Sequence, residues 1–148
     1  MFDGEPPLRA GQIWMTGAYH VSREEMVGFA RQWDPLPIHL EAPPGESPFA
    51  DVIASGLLSL AVFQRLVAVE VYGSLPIVAA RGLRSVRFLQ PVYPDDELTA
   101  RVEVVGVAPP SRGRREVEVA GTLLRGGSAV MTVAVDLVMA HTMPESDI

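Results

Sequence analysis

Residues 54–72 form an almost unbroken apolar run with the length of a helix rather than a strand. Leu57, Leu58, Leu60, Ala61, Val62, Phe63, Leu66, Val67, Val69 and Val71 leave hardly a polar face. A helix that is apolar nearly all round has to be enclosed by protein. Ser59, Gln64, Arg65 and Glu70 interrupt the run, so it reads as a buried helix and not as a membrane span. The chain that follows can supply the enclosure. From Ile77 onward the apolar period changes to two, and alternating segments follow at Leu98–Val107, Arg114–Leu124 and Ala129–Met139. In the first of these strands, Arg84, Val86 and Phe88 are expected on one face and Ser85, Arg87 and Leu89 on the other. Pro91–Asp96, Pro109-Pro110-Ser111 and Gly126-Gly127 separate the segments, and the Gly-Gly pair suits a tight hairpin. Consecutive strands joined by short turns make an antiparallel sheet. The prediction is an α+β architecture: a strongly curved antiparallel sheet wrapping one long helix. Leu57, Leu60, Ala61, Phe63, Leu66 and Val67 are expected to be buried beneath it.

The first third of the chain carries a different kind of signal. Residues 1–10 read as a loose arm, and Gln12–Thr16 as a first short strand. Ser22-Arg23-Glu24-Glu25 has the spacing of a capping box, in which Ser22 accepts from the Glu25 amide while Glu25 reaches back. The helix it opens buries a stripe through Met26, Val27, Phe29, Ala30 and Trp33, and ends there because Pro35 disfavours helical geometry at Asp34. Asp34 and His39 then stand five apart with Pro35 and Pro37 between them, and the prolines are expected to exclude a helix from this segment. A carboxylate and an imidazole held on one stiff loop can activate water or move protons. Ser55-Gly56, at the head of the apolar helix, would offer free amide N–H groups and the positive end of the helix dipole to developing negative charge.

At 148 residues the chain is read as a single domain, 1–148, of ordinary globular composition. The net charge of −6 argues against a general nucleic-acid surface. There is no Cys, hence no disulfide framework, thiol nucleophile or Cys-based metal site. The N-terminus has neither the basic segment nor the apolar core of a signal peptide, so a soluble, cytoplasmic protein with no membrane partner is expected. Among the basic residues, Arg81, Arg84, Arg87, Arg112, Arg114 and Arg115 are candidates for phosphate contacts, with a solvated sheet face as the alternative. His20 and His141 are isolated and read as structural or exposed.

Five blocks in order resemble a known family: Asp34-Pro35-Leu36-Pro37-Ile38-His39; Ser47-Pro48-Phe49; Ile53-Ala54-Ser55-Gly56; Val86–Val92; and Pro94-Asp95-Asp96-Glu97-Leu98. Together they are similar to the MaoC-like dehydratases, the (R)-specific enoyl-CoA hydratases of the hotdog fold, across roughly residues 22–108. The resemblance implies a hotdog protomer in a homodimer or dimer of dimers. It implies reversible addition of water to a trans-2-enoyl thioester, giving the (R)-3-hydroxyacyl form. The thioester would be carried by coenzyme A or an acyl-carrier protein, and coenzyme A would enter only as part of the substrate. The family's catalytic Asp and His fall on Asp34 and His39, and its oxyanion-binding amide on Gly56. Ser55, Pro37, Phe49, Gln64 and Arg87 are candidates for substrate contacts. Two positions depart from the family's usual pattern. Leu36 stands where an Asn is common, and Ser55 where a His often precedes the glycine.

The chemistry can also be argued from the residues. Hydration of a thioester-conjugated double bond puts negative charge on the carbonyl oxygen, which an N–H at a helix N-terminus stabilises by about 3 kcal/mol. Water must lose a proton as it attacks C3, and C2 must gain one. Asp34 and His39 holding a single water between them would supply both transfers, worth roughly 10²–10⁴ in rate. No metal is required, and no ligand cluster for one is expected. Two alternatives stand beside this reading. A hotdog acyl-CoA thioesterase would need a carboxylate on the central helix, where only Glu70 qualifies. A non-catalytic acyl-thioester-binding or partner subunit would keep the fold without the reaction, and Leu36 favours it.

Overall fold

A computed structural model describes residues 8–141, so most of the expected N-terminal arm lies outside the described residues. The elements run β1 (Ile13–Met15), β2 (Tyr19–His20), α1 (Arg23–Trp33), α2 (Pro37–Leu40), α3 (Gly56–Glu70), a 3-10 turn (Tyr72–Ser74), β3 (Ile77–Phe88), β4 (Glu97–Val107), β5 (Arg114–Arg125) and β6 (Ser128–Ala140). The strands form one antiparallel sheet in the order β1-β4-β5-β6-β3, with β2 also pairing to β4. Alternation holds along most of the three long inner strands and is broken where the neighbours Val130 and Met131 are both buried, beside a register shift. Leu98, Ala100, Val102 and Val104 of β4, Val117, Val119 and Leu123 of β5, and Val133, Val135, Leu137 and Met139 of β6 are buried in a single core. Arg125 and Ser128 pair across Gly126-Gly127, and Gly126 takes the positive φ (58°) that starts the reversal.

Helix α3 lies against this inner face. Leu58, Val62, Phe63, Leu66 and Val67 are buried on it. Phe63 shows why one strand position had to lack a side chain: a Cβ at Gly121, in the middle of β5, would sit 2.2 Å from the Phe63 ring. The glycine costs strand propensity but admits an aromatic ring directly onto the backbone.

In α1, Met26 and Ala30 are buried as expected, but Trp33, expected in the same stripe, is 63% exposed. Four further expectations need correction. Only one face of α3 is covered: Leu57 and Ala61 are exposed and Leu60 only partly buried, so the predicted core list fails at three of its six positions. Residues Gly56–Ser74 have the length and mean hydropathy (1.3) of a membrane-crossing segment, yet 39% of that stretch is buried within the fold. Second, the capping box is half made. The Ser22 hydroxyl accepts from the Glu25 amide, but the Glu25 carboxylate accepts instead from the Tyr19 hydroxyl at 2.8 Å. Third, the prolines do not exclude a helix. Pro37 opens the single turn α2 at its first position, where its missing N–H costs nothing and its fixed φ suits the helix. Fourth, β3 does not alternate simply. Ser85 has φ 53° and the register jumps between Arg84 and Arg87, a bulge that breaks the two-residue period.

Candidate active site

The site is built where three segments meet at the N-terminus of α3. Asp34 caps the end of α1, its amide donating to the Ala30 carbonyl at 2.9 Å. Its own carbonyl accepts from the Leu36 amide at 2.8 Å, which turns the chain sharply into α2. His39 rides on that turn and is buried (7% exposed). The segment 52–55 runs alongside: the Ile53 amide donates to the Ile38 carbonyl, and the Ala54 amide to the Val92 carbonyl. Ser55 then caps α3, its hydroxyl oxygen accepting from the Leu57 amide at 3.2 Å.

Three contacts tie the polar groups together. The Ser55 hydroxyl donates to Asp34 Oδ2 at 2.7 Å. The same Oδ2 lies 3.4 Å from His39 Nε2. The other ring nitrogen of His39, Nδ1, donates to the Ile53 carbonyl at 2.9 Å. A carbonyl only accepts, so Nδ1 carries the proton, and in the neutral ring Nε2 is the basic nitrogen turned toward Asp34. A carboxylate and an unprotonated nitrogen are both acceptors. With the ring neutral, a water donating one hydrogen to each would satisfy both and keep an oxygen lone pair free. The 3.4 Å separation excludes a water on the line joining the two groups. It suits one seated beside them, about 2.8 Å from each. Asp34 retains a quarter of its side-chain exposure, and among the described residues its Oδ1 has no protein partner.

A cavity of about 380 Å³ opens beside His39, with His39, Phe49, Gly56, Ser59 and Phe88 in its wall; Asp34 and Ser55, which adjoin His39 and Gly56, are not among its lining residues. Among the described residues the Gly56 amide has no acceptor, as expected of the first residue of a helix. The loop carrying Phe49 is tethered to α1 by paired contacts from the Arg23 guanidinium to the Asp51 carboxylate (3.1 and 2.6 Å). That guanidinium holds the Asp51 carboxyl below the usual carboxylate range. The opposite wall, Gln90-Pro91-Val92, is braced by Arg125, which donates to the Pro91 carbonyl (2.8 Å), Asp96 (2.7 Å) and the Gln90 side chain (3.0 Å).

The fold therefore brings together Asp34, His39, Ser55, Gly56 and Phe49 of the residues singled out in the sequence. Pro37 is exposed and acts through the backbone as the first residue of the His39 turn. Gln64 does not join them. It sits two turns along α3 on the exposed groove with Leu57, Ala61, Ala80 and Leu83. Arg87 is exposed, off the cavity wall, and without an ion pair among the described residues. Arg81 pairs with Glu116, and Arg84 with Asp136 (2.8 Å) and Glu118 (2.9 Å). The charges of these two arginines are thus paired along the sheet face, whereas Arg115 has its Nε buried without a partner among the described residues. Three site elements were not recognised from the sequence: the Ile53 carbonyl that orients His39, the Ser55–Asp34 bond and the Phe88 wall. The serine beside a helix glycine was the only available signal, since a backbone carbonyl leaves none.

An antiparallel sheet packed on one central helix is the hotdog arrangement, and here a carboxylate and an imidazole stand near that helix's N-terminus. A profile of the MaoC like domain matches residues 9–125, and the chain belongs to that family. An uncharacterized protein of Bacillus subtilis, YdeM, is 35% identical over 100 residues, which is 67% of this chain and 71% of that one. Among solved structures, the MaoC-like dehydratase from Rhodospirillum rubrum superimposes with a TM-score of 0.81 at 24% identity, covering 93% of this chain and 96% of the other. The R-hydratase PhaJ1 from Pseudomonas aeruginosa superimposes with a TM-score of 0.69 at 25% identity, covering 92% and 84%.

Proposed function

We propose that this protein adds water reversibly to a trans-2-enoyl thioester, giving the (R)-3-hydroxyacyl thioester. The observation that carries this reading is the convergence on Asp34: Ser55 fixes one carboxylate oxygen, His39 faces it with a defined tautomer, and the free Gly56 amide lies one residue away from Ser55. The thioester carbonyl accepts from the Gly56 N–H, which sets C3 of the enoyl group toward the dyad. One water donates to Asp34 and His39 Nε2, loses a proton to the pair as its oxygen bonds to C3, and charge moves to the carbonyl oxygen. The pair then returns a proton to C2. The dipole of α3 and its N-terminal amide stabilise the enolate-like charge without any group having to move.

The thioesterase alternative loses its carboxylate. Glu70 is about 21 Å down the helix from Gly56 and is engaged by the Gly17 amide at 2.8 Å. The non-catalytic reading keeps only Leu36, which is exposed (53%) and outside the cavity wall. Coenzyme A or acyl-carrier protein is the proposed carrier, and the cytoplasm the proposed compartment. The proposed assembly is a two-fold homodimer. The outer edge of β3 has no partner strand among the described residues, and beside it Leu57, Leu83 and Ala80 leave an apolar groove uncovered.

The test is direct. Crotonyl-CoA should lose its conjugated-thioester absorbance on incubation with the protein, and the product should be the (R)-3-hydroxybutyryl thioester. Asp34→Asn and His39→Ala should each lower kcat by roughly 10² or more, and the double variant should be little worse than the worse single. KM should move far less. Turnover in Asp34→Asn within threefold of wild type would remove the carboxylate from the mechanism.

A further inference from the structure

Phe88 is the last residue of β3 and half of it is exposed (53%), although the strand it ends carries Val86 against the core two residues earlier. Its ring is pressed onto Gly56: a Cβ at that position would lie 2.5 Å from Phe88 Cζ, 2.6 Å from Cε2 and 2.8 Å from Cδ2. The backbone beneath the ring is held. Phe88 pairs with Met131 of β6, and the Leu89 amide donates to the Val130 carbonyl at 2.8 Å. The ring therefore comes from a strand end and not from a free loop, and it lines the same cavity as His39 and Gly56.

We propose that Phe88 determines which acyl groups are accepted by excluding a substituent at C2. The inference rests on the hydratase reading for the placement of the substrate. With the carbonyl oxygen at the Gly56 amide and C3 at the dyad, C2 lies between these two anchors, next to the residues that adjoin Gly56. Phe88 is the large cavity-lining side chain in contact with Gly56. A flat, unbranched enoyl thioester lies alongside the ring. A methyl group on C2 widens that plane at its closest approach to Phe88, whose backbone is held to β6. A wall that must be displaced to admit one methyl discriminates by roughly 10–200-fold. The same contact gives residue 56 a second reason to be glycine. Any side chain there would evict the ring from the wall.

The experiment compares crotonyl-CoA with its 2-methyl homologue, tiglyl-CoA, in wild type, Phe88→Ala and Phe88→Leu. Thermal melting establishes that each variant is folded, and Phe88→Leu keeps an apolar side chain at the strand end. Because tiglyl-CoA is intrinsically less reactive, the quantity read is the change in the crotonyl-to-tiglyl ratio of kcat/KM. Phe88→Ala should narrow it about tenfold or more, and Phe88→Leu by less. In parallel, calorimetry gives the Kd ratio of butyryl-CoA to 2-methylbutyryl-CoA, which needs no turnover and should narrow in the same direction. If wild type hydrates crotonyl-CoA but neither ratio moves in folded variants, the role of Phe88 is overturned and the hydratase reading stands. If neither enoyl thioester is hydrated but the Kd ratio narrows, Phe88 shapes the acyl site and the hydratase reading falls. If there is no hydration and the Kd ratio is also unchanged, both fall.

Discussion

Ser55→Ala tests the site at its most connected atom. The hydroxyl is fully buried and makes two bonds at once, accepting from the Leu57 amide and donating to Asp34 Oδ2. Losing a side-chain cap costs about 0.5–2 kcal/mol. Losing a hydrogen bond to a charged group costs about 1.5–3 kcal/mol. The two share an atom and do not add fully, so a stability loss of about 2–4 kcal/mol is expected. Ser55→Gly separates the terms, because glycine is an acceptable cap at a cost of a few tenths of a kcal/mol, while the bond to Asp34 is lost in either variant. Urea unfolding should therefore rank wild type above Ser55→Gly, and Ser55→Gly above Ser55→Ala. Catalysis should respond to the Asp34 bond alone. The carboxylate, freed on one side, no longer presents a fixed oxygen to the shared water, so kcat on crotonyl-CoA should fall by about tenfold or more in both variants while KM changes little. If Ser55→Ala unfolds within 1 kcal/mol of wild type and turns over normally, the bond is incidental and the three-residue constellation is not a unit.

Gly121→Ala should destabilise by about 1–3 kcal/mol through overpacking against Phe63, although strand propensity alone predicts a gain; chemical denaturation reads the sign. Tyr72 carries a hydroxyl that is buried and unpartnered among the described residues, and burial pushes its pKa from 10.0 to about 12. The folded value is the higher one, so this phenol's contribution is fully present below pH 10 and is lost as pH rises toward 12 and beyond. About 2–3 kcal/mol of stability at high pH is at stake. Tyr72→Phe should accordingly flatten the alkaline limb of a stability-versus-pH curve and leave stability at neutral pH equal or improved. Leu57→Arg together with Leu83→Asp should dissociate the proposed homodimer. Sedimentation should move from twice the 16.0 kDa chain mass to one, and a wild-type protein that sediments as a monomer at micromolar concentration would falsify the dimer outright.

Periodicity indicated a helix over 54–72, observed over Gly56–Glu70, and four strands after it, of which β3 departs from simple alternation at its bulge. Period 3.6 and period 2 report which side of each element meets the core, and β4, β5 and β6 obey that rule over most of their lengths, with register shifts between them at Val104/Gly106 and Leu123/Leu124. Asp34, His39 and Gly56 were marked by a different signal, the prolines and the helix start that confine them to short, stiff segments, together with the resemblance of five ordered blocks to one family. The covered half of α3 was a matter for tertiary structure. A helix apolar all round carries no phase information, and only packing against Gly121 decided that Phe63 points in while Leu57 and Ala61 point out. The turn at Pro37 was misjudged for a similar reason. Proline forbids the interior of a helix but favours its first position, and only the surrounding chain decides which applies. The joining of Asp34 to Ser55 spans 21 residues, and that of His39 to the Ile53 carbonyl spans 14. Contacts of that kind are made by backbone atoms and by chain folding over a distance, and no local pattern of residue types encodes them.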